Sequence, residues 1–138
     1  MNRVSMPLST AAAVALLASA FAVAAPPDVP VVVGEEVELD ACTSWAKVKG
    51  LVPGGDGFLA VRGGPGSKYA RRDRLREGDE FFVCSYSPDG KWLAIVYPRE
   101  GQDPGDCRVS VSLPKPVAYQ GPCAWGWVHG KWVQFLAG

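Results

Sequence analysis

Residues 58–62 alternate in character along the chain. Phe58, Ala60 and Arg62 fall on one side, and Leu59 and Val61 on the other. This is the period-two pattern of a strand with one face buried. Gly63-Gly64-Pro65-Gly66 follows at once and ends the strand, because proline has no ladder donor and glycine tolerates turn conformations. Short runs of the same kind continue to the C-terminus. Residues 80–86 and 91–97 flank Ser87-Pro88-Asp89-Gly90, and Asp-Gly between two apolar runs predicts a tight hairpin. In its second arm Leu93 and Ile95 face one way, and Trp92, Ala94 and Val96 the other. Residues 46–51 predict a further strand, with Ala46 and Val48 opposite Lys47 and Lys49. Gly126-Trp127-Val128-His129 is strand-like, Gly130-Lys131 is a turn, and residues 132–136 predict a closing strand. Beyond the first two dozen residues no stretch has helical spacing, so the class is all-β.

Three segments are less regular. Residues 25–30, rich in proline, are expected to form a flexible lead-in. Residues 31–39 are β-prone, with Val37 and Leu39 alternating against Glu36 and Glu38, and predict an edge strand. Residues 71–79 interleave four arginines with Asp73, Glu77 and Asp79, which suits a solvated loop or an exposed strand rather than a polyanion site. Residues 98–125 hold Pro114-Lys115-Pro116 and Gly121-Pro122. They predict an irregular insertion, with a short strand at 109–113.

The N-terminus has a different logic. Arg3 precedes an uncharged run at 11–22, and Ala22-Val23-Ala24 is a small-x-small sequence. These are the parts of a secretory signal peptide, with cleavage expected after Ala24. The apolar run is too short for the roughly 20 residues of a spanning helix, so no membrane span is expected after cleavage. The expected division is a leader at 1–24, a lead-in and edge strand at 25–41, and one domain at 42–138. The location implied is periplasmic or secreted.

Composition sharpens this picture in two places. Lysines and arginines number 14, as do aspartates and glutamates, so no general attraction to nucleic acid is expected. The cysteines are Cys42, Cys84, Cys107 and Cys123. An even number in a small exported chain predicts two disulfides out of three possible connectivities. The pairing Cys42–Cys84 with Cys107–Cys123 is preferred, because the second pair closes a proline-rich excursion that has few other means of order. Closing loops of these sizes stabilises by about 3 to 4 kcal/mol in the chain-entropy picture. A zinc site built from all the cysteines would need close cysteine pairs, and there are none; no metal or cofactor is expected.

No catalytic set emerges. His129 is the only histidine. A cysteine-dependent hydrolase would need one cysteine left reduced and activated, which strands another. Gly63-Gly64-Pro65-Gly66-Ser67-Lys68 lacks the glycine before lysine and the helix that a phosphate loop requires. The aromatic residues are the better lead. Five tryptophans and four tyrosines exceed what a small core must hold, and flat apolar faces with polar rims suit a binding groove. Tyr69, Tyr86, Trp92 and Trp125 stand near predicted turns and are the candidate ligand-binding residues. Arg62 is a candidate partner for a ligand carboxylate; the structural alternative is an internal ion pair with Asp56 or Asp73.

The order of these pieces resembles the bacterial SH3 domain family. Leu59-Ala60-Val61-Arg62-Gly63-Gly64-Pro65 with Tyr69 is similar to the family's leucine-x-valine-arginine segment, with Ala60 where asparagine is usual. Leu75-Arg76-Glu77-Gly78-Asp79 corresponds to its charged turn, Trp92 to its strand tryptophan, and Gly126-Trp127-Val128 with Trp132 to its closing segment. The insertion at 98–125 departs from the family, which has a short turn there. The resemblance implies a small SH3-like barrel of five to six strands and a binding role. Its partner would be peptidoglycan or its peptides, or an exported protein. A free-standing exported module is also compatible with an inhibitor or immunity protein acting on a toxin or wall hydrolase, through the Cys107–Cys123 excursion.

Overall fold

The computed structural model describes residues 2–138. Its elements in chain order are β1 (Val32–Val33), β2 (Ser44–Val48), β3 (Leu59–Arg62), β4 (Arg71–Leu75), β5 (Glu80–Tyr86), β6 (Trp92–Tyr97), β7 (Val117–Ala118), β8 (Ala124–His129) and β9 (Val133–Ala137). Two single 3-10 turns, Pro104–Cys107 and Gly130–Trp132, are the helical elements among the described residues. Seven strands form one antiparallel sheet in the order β4-β3-β8-β6-β5-β2-β9, and β1 pairs with β7 in a second, small sheet.

The connections force the large sheet to roll. β4 and β5 are four places apart in the sheet, about 19 Å if it were flat. The chain runs from Leu75 to Glu80 in five residue steps, at most about 18 Å when fully extended. It is not fully extended, because the Asp79 amide bonds the Arg76 carbonyl in a turn. The sheet therefore curls, and side chains from distant strands meet inside it. Leu59, Val61 and Leu75 from one edge share a buried cluster with Ala46 and Val48 from the other, around Phe81, Ile95 and Val128. β4 and β9 each keep a single neighbour. The roll does not close into a barrel, and its seven strands exceed the five or six expected.

The outer face is also apolar. Phe82, Cys84, Ala94, Val96 and Trp127 lie under a second layer made by the N-terminal segment and the insertion, with Val31, Val33, Cys107, Val109, Tyr119 and Cys123. This explains why Trp92-Leu93-Ala94-Ile95-Val96 is hydrophobic in both registers: β6 is central and covered on both sides. Both expected disulfides are present, Cys42–Cys84 and Cys107–Cys123. The first ties the N-terminal segment to β5. Within the excursion the Tyr119 hydroxyl donates to the Cys107 carbonyl at 3.0 Å and accepts from the Cys123 amide at 3.2 Å.

Local departures from the sequence pattern have clear causes. The expected flexible lead-in is held from Val29, whose amide bonds the Gly63 carbonyl at 2.7 Å and whose carbonyl accepts the Trp127 indole N–H at 2.9 Å. The strand expected at 31–39 is cut to Val32–Val33 by Gly34, at φ +78°. Val37 and Leu39 are left exposed in the loop that follows. The strand expected at 109–113 does not form; instead the Val109 and Val111 carbonyls accept the Cys42 and Ala41 amides. The charged passage is the exposed edge strand β4. The hairpin at Asp89-Gly90 forms as expected, with Gly90 at φ +73° and its amide bonded to the Ser87 carbonyl.

Candidate functional site

β3 presents Leu59 and Val61 to the interior and turns Ala60 and Arg62 outward. Ala60 is small, so it leaves a hollow rather than filling one. Around it gather Phe58, just before β3, Trp92 from β6, and His129 and Trp132 from the end of β8 and the turn after it. The result is a cleft of about 350 Å³, completed by Asp56, Ser67, Arg62 and Arg71. All four rings are half-buried. Trp92 and His129 are cross-strand partners in the β6–β8 ladder, and their rings meet edge to face at 5.3 Å. The His129 Nδ1 accepts the Lys131 amide at 3.1 Å, which fixes the ring. Arg71 and Arg74 place their guanidinium carbons 5.3 and 4.7 Å from the Phe58 ring centre, and the Lys131 ammonium lies 4.9 Å from that of Trp132.

Of the five residues singled out from the sequence, Arg62 and Trp92 share this cleft. Arg62 forms no internal ion pair with Asp56 or Asp73. Its Nη1 donates to the Tyr69 carbonyl at 3.0 Å, while Asp73 accepts the Tyr97 hydroxyl. Tyr69 serves the turn: its ring lies against Gly64, where a Cβ would collide with it. Trp125 lies within β8 rather than at a turn, covered by the Arg72 guanidinium at 3.9 Å. Arg72 in turn pairs with Asp28 at 2.6 Å, the one ion pair within 4 Å among the described residues. Tyr86, 53% exposed, stands apart at a shallow hollow beside Glu35, Glu36 and Asp40. The five do not converge on one groove.

Phe58, His129 and Trp132 belong to the cleft and were not sequence candidates for binding. Phe58 carried the one available signal, since it lies on the Ala60–Arg62 side of the alternation. The approach of His129 to Trp92 depends on the β6–β8 register, which no local pattern encodes.

A larger cleft, of about 660 Å³, opens between β4 and the start of the insertion. It is lined by charges of both signs, including Asp73, Arg74, Asp79, Glu80 and Arg99. Several of these already serve the fold: Asp73 holds Tyr97, and Asp79 caps the Arg76 amide at 2.7 Å. Burial, together with the hydrogen bond to Asp73, pushes the Tyr97 phenol well above its ordinary pKa. All four cysteines are in disulfides, so no thiol nucleophile is available. No group of three or more metal-binding side chains gathers among the described residues.

No protein-family model, curated protein or solved structure matches this chain.

Proposed function

We propose that this chain is an exported, non-catalytic binding module of the bacterial SH3-like kind. Its ligand is cell-wall peptide or peptidoglycan, held in the cleft between Phe58, Trp92 and Trp132. The observation that carries this reading is the cleft itself: three half-buried aromatic rings and an imidazole edge-on to one of them gather beside cationic side chains. Such surfaces bind by stacking and by a few polar contacts. The rolled all-β sheet and the leucine-x-valine-arginine strand next to its edge support the family reading.

Export is supported by two observations. Val14, Leu16, Leu17, Phe21 and Val23 are each more than 80% exposed, so the domain forms its core without them, as a removable leader requires. The two disulfides suit an oxidising compartment. No helix among the described residues is long and apolar enough to cross a membrane. The inhibitor reading draws on the excursion, where Val109 and Tyr119 cover the sheet while Val111 and Val117 are exposed; the aromatic cleft lies outside it and favours the wall-ligand reading.

The test is co-sedimentation of the exported protein with purified peptidoglycan. The wild type is expected to pellet, and Trp92→Ala to stay largely in the supernatant while remaining folded. A wild type that stays in the supernatant overturns the wall-binding reading.

A further inference from the structure

We propose that the cleft selects an acidic ligand, an extended peptide bearing carboxylates, and that Arg71 on its wall and Arg74, which lies over the same Phe58 ring, are its recognition element; this rests on the cleft being the binding surface. The geometry has a specific origin. Between β3 and β4 the register passes from Val61↔Asp73 to Arg62↔Arg71, so two residues of β4 oppose one of β3. Without that bulge, Arg71 and Arg74 would point to opposite faces, being three residues apart on a strand. With it, both guanidiniums reach the same ring, at 5.3 and 4.7 Å.

The charges nearby are divided unequally. Arg72 is matched by Asp28, and Arg62 is engaged by the Tyr69 carbonyl. The Asp73 carboxylate takes the Tyr97 hydroxyl and the Arg74 amide. Among the described residues neither Arg71 nor Arg74 has a carboxylate within 4 Å of its side chain. Asp56 is the one acid on the cleft wall. A guanidinium lying against a ring keeps its N–H edge free for a carboxylate, the arrangement that suits bidentate pairing. β4 is also an open edge, and its two stacked arginines lie roughly 7–10 Å apart along it, the spacing of acidic side chains two or three positions apart on an extended chain. Charge on an edge strand also discourages aggregation, but that role requires no shared aromatic support.

The test titrates the exported protein calorimetrically with a blocked hexapeptide of alternating glutamate and glycine, its glutamine counterpart, and an oligouronate of similar length. The acidic peptide is expected to bind at least about tenfold more tightly than the glutamine peptide, in keeping with charge-assisted pairing. Arg71→Gln/Arg74→Gln should erase that preference, whereas Arg76→Gln/Lys115→Gln, which removes the same charge elsewhere, should keep it. Equal affinity for the two peptides, no binding of either, an equal loss in both double variants, or a preference for the oligouronate overturns the proposal. Sedimentation of the wild type with peptidoglycan alongside any of those results confines the failure to the ligand's charge. Its absence would count against the wall-binding reading itself.

Discussion

The Tyr97 hydroxyl donates a 2.8 Å hydrogen bond to the Asp73 carboxylate, joining the central strand β6 to the edge strand β4 across the roll of the sheet. Tyr97 is 5% exposed. Tyr97→Phe is expected to cost about 1 kcal/mol at neutral pH, the usual net value of one such bond, measured by urea denaturation.

The same pair predicts a pH dependence. The phenol's pKa is raised by burial first and by Asp73 second, so folding favours the protonated form. Below the unfolded-state value of about 10 both states keep the proton, and the contribution is fully present. Above it the unfolded chain loses the proton first and stability falls, by up to about 1.4 kcal/mol per pH unit for this group. The stability gap between wild type and Tyr97→Phe should therefore narrow above pH 10. A gap unchanged from pH 8 to 11 would refute the coupling.

Trp127 anchors the N-terminal segment through Val29. Trp127→Phe keeps an aromatic ring but removes the indole donor, and is expected to cost about 2 kcal/mol from the lost bond and the unfilled space. The Val29 amide, bonded to Gly63, should then exchange hydrogen faster than in the wild type. Unchanged exchange at Val29 would mean that the segment is held by other contacts.

The contrast between residues 58–62 and residues 31–39 indicates what the sequence could convey. Leu59 and Val61 follow the alternation into the core because β3 has one buried face. Val37 and Leu39 show the same alternation yet lie exposed, because Gly34 turns the chain away from the sheet first. Hairpins and disulfides were legible since turn chemistry and cysteine number are local or countable. The second layer over the outer face was not, because it arises from contacts such as Trp127 with Val29, 98 residues apart. The cleft was half legible for the same reason: Trp92 and Arg62 could be singled out, but their convergence with Phe58, His129 and Trp132 depends on strand order.

Gly126 faces Ile95 in the ladder and lies where β8 meets β3. A Cβ there would collide with the Val61 side chain and stand 2.9 Å from the Arg62 carbonyl oxygen. Gly126→Ala is expected to destabilise by about 1–3 kcal/mol, as overpacking does, and to lower the thermal midpoint. A neutral effect would indicate that β3 can shift without cost.

Both disulfides are buried, with Cys107 and Cys123 at 0% and 2% exposure. Under native conditions a mild reductant should leave them intact, and replacing both members of either pair by serine should cost about 3 kcal/mol or more. Peptide mapping without reduction is expected to find only the Cys42–Cys84 and Cys107–Cys123 links; a free thiol or a crossed pair would contradict this arrangement.

Binding in the cleft can be read from the five tryptophan indole N–H signals in a nitrogen–proton spectrum of the protein from residue 25 onward, recorded as soluble peptidoglycan fragments are added. Trp92 and Trp132 line the cleft, Trp127 is buried and bonded to Val29, and Trp45 packs on Phe82 at 4.6 Å. The Trp92 and Trp132 signals are expected to move with saturating dependence on fragment concentration, while those of Trp45 and Trp127 stay in place. Shifts confined to Trp45 and Trp127, or no shift at any tryptophan, would contradict binding in the cleft.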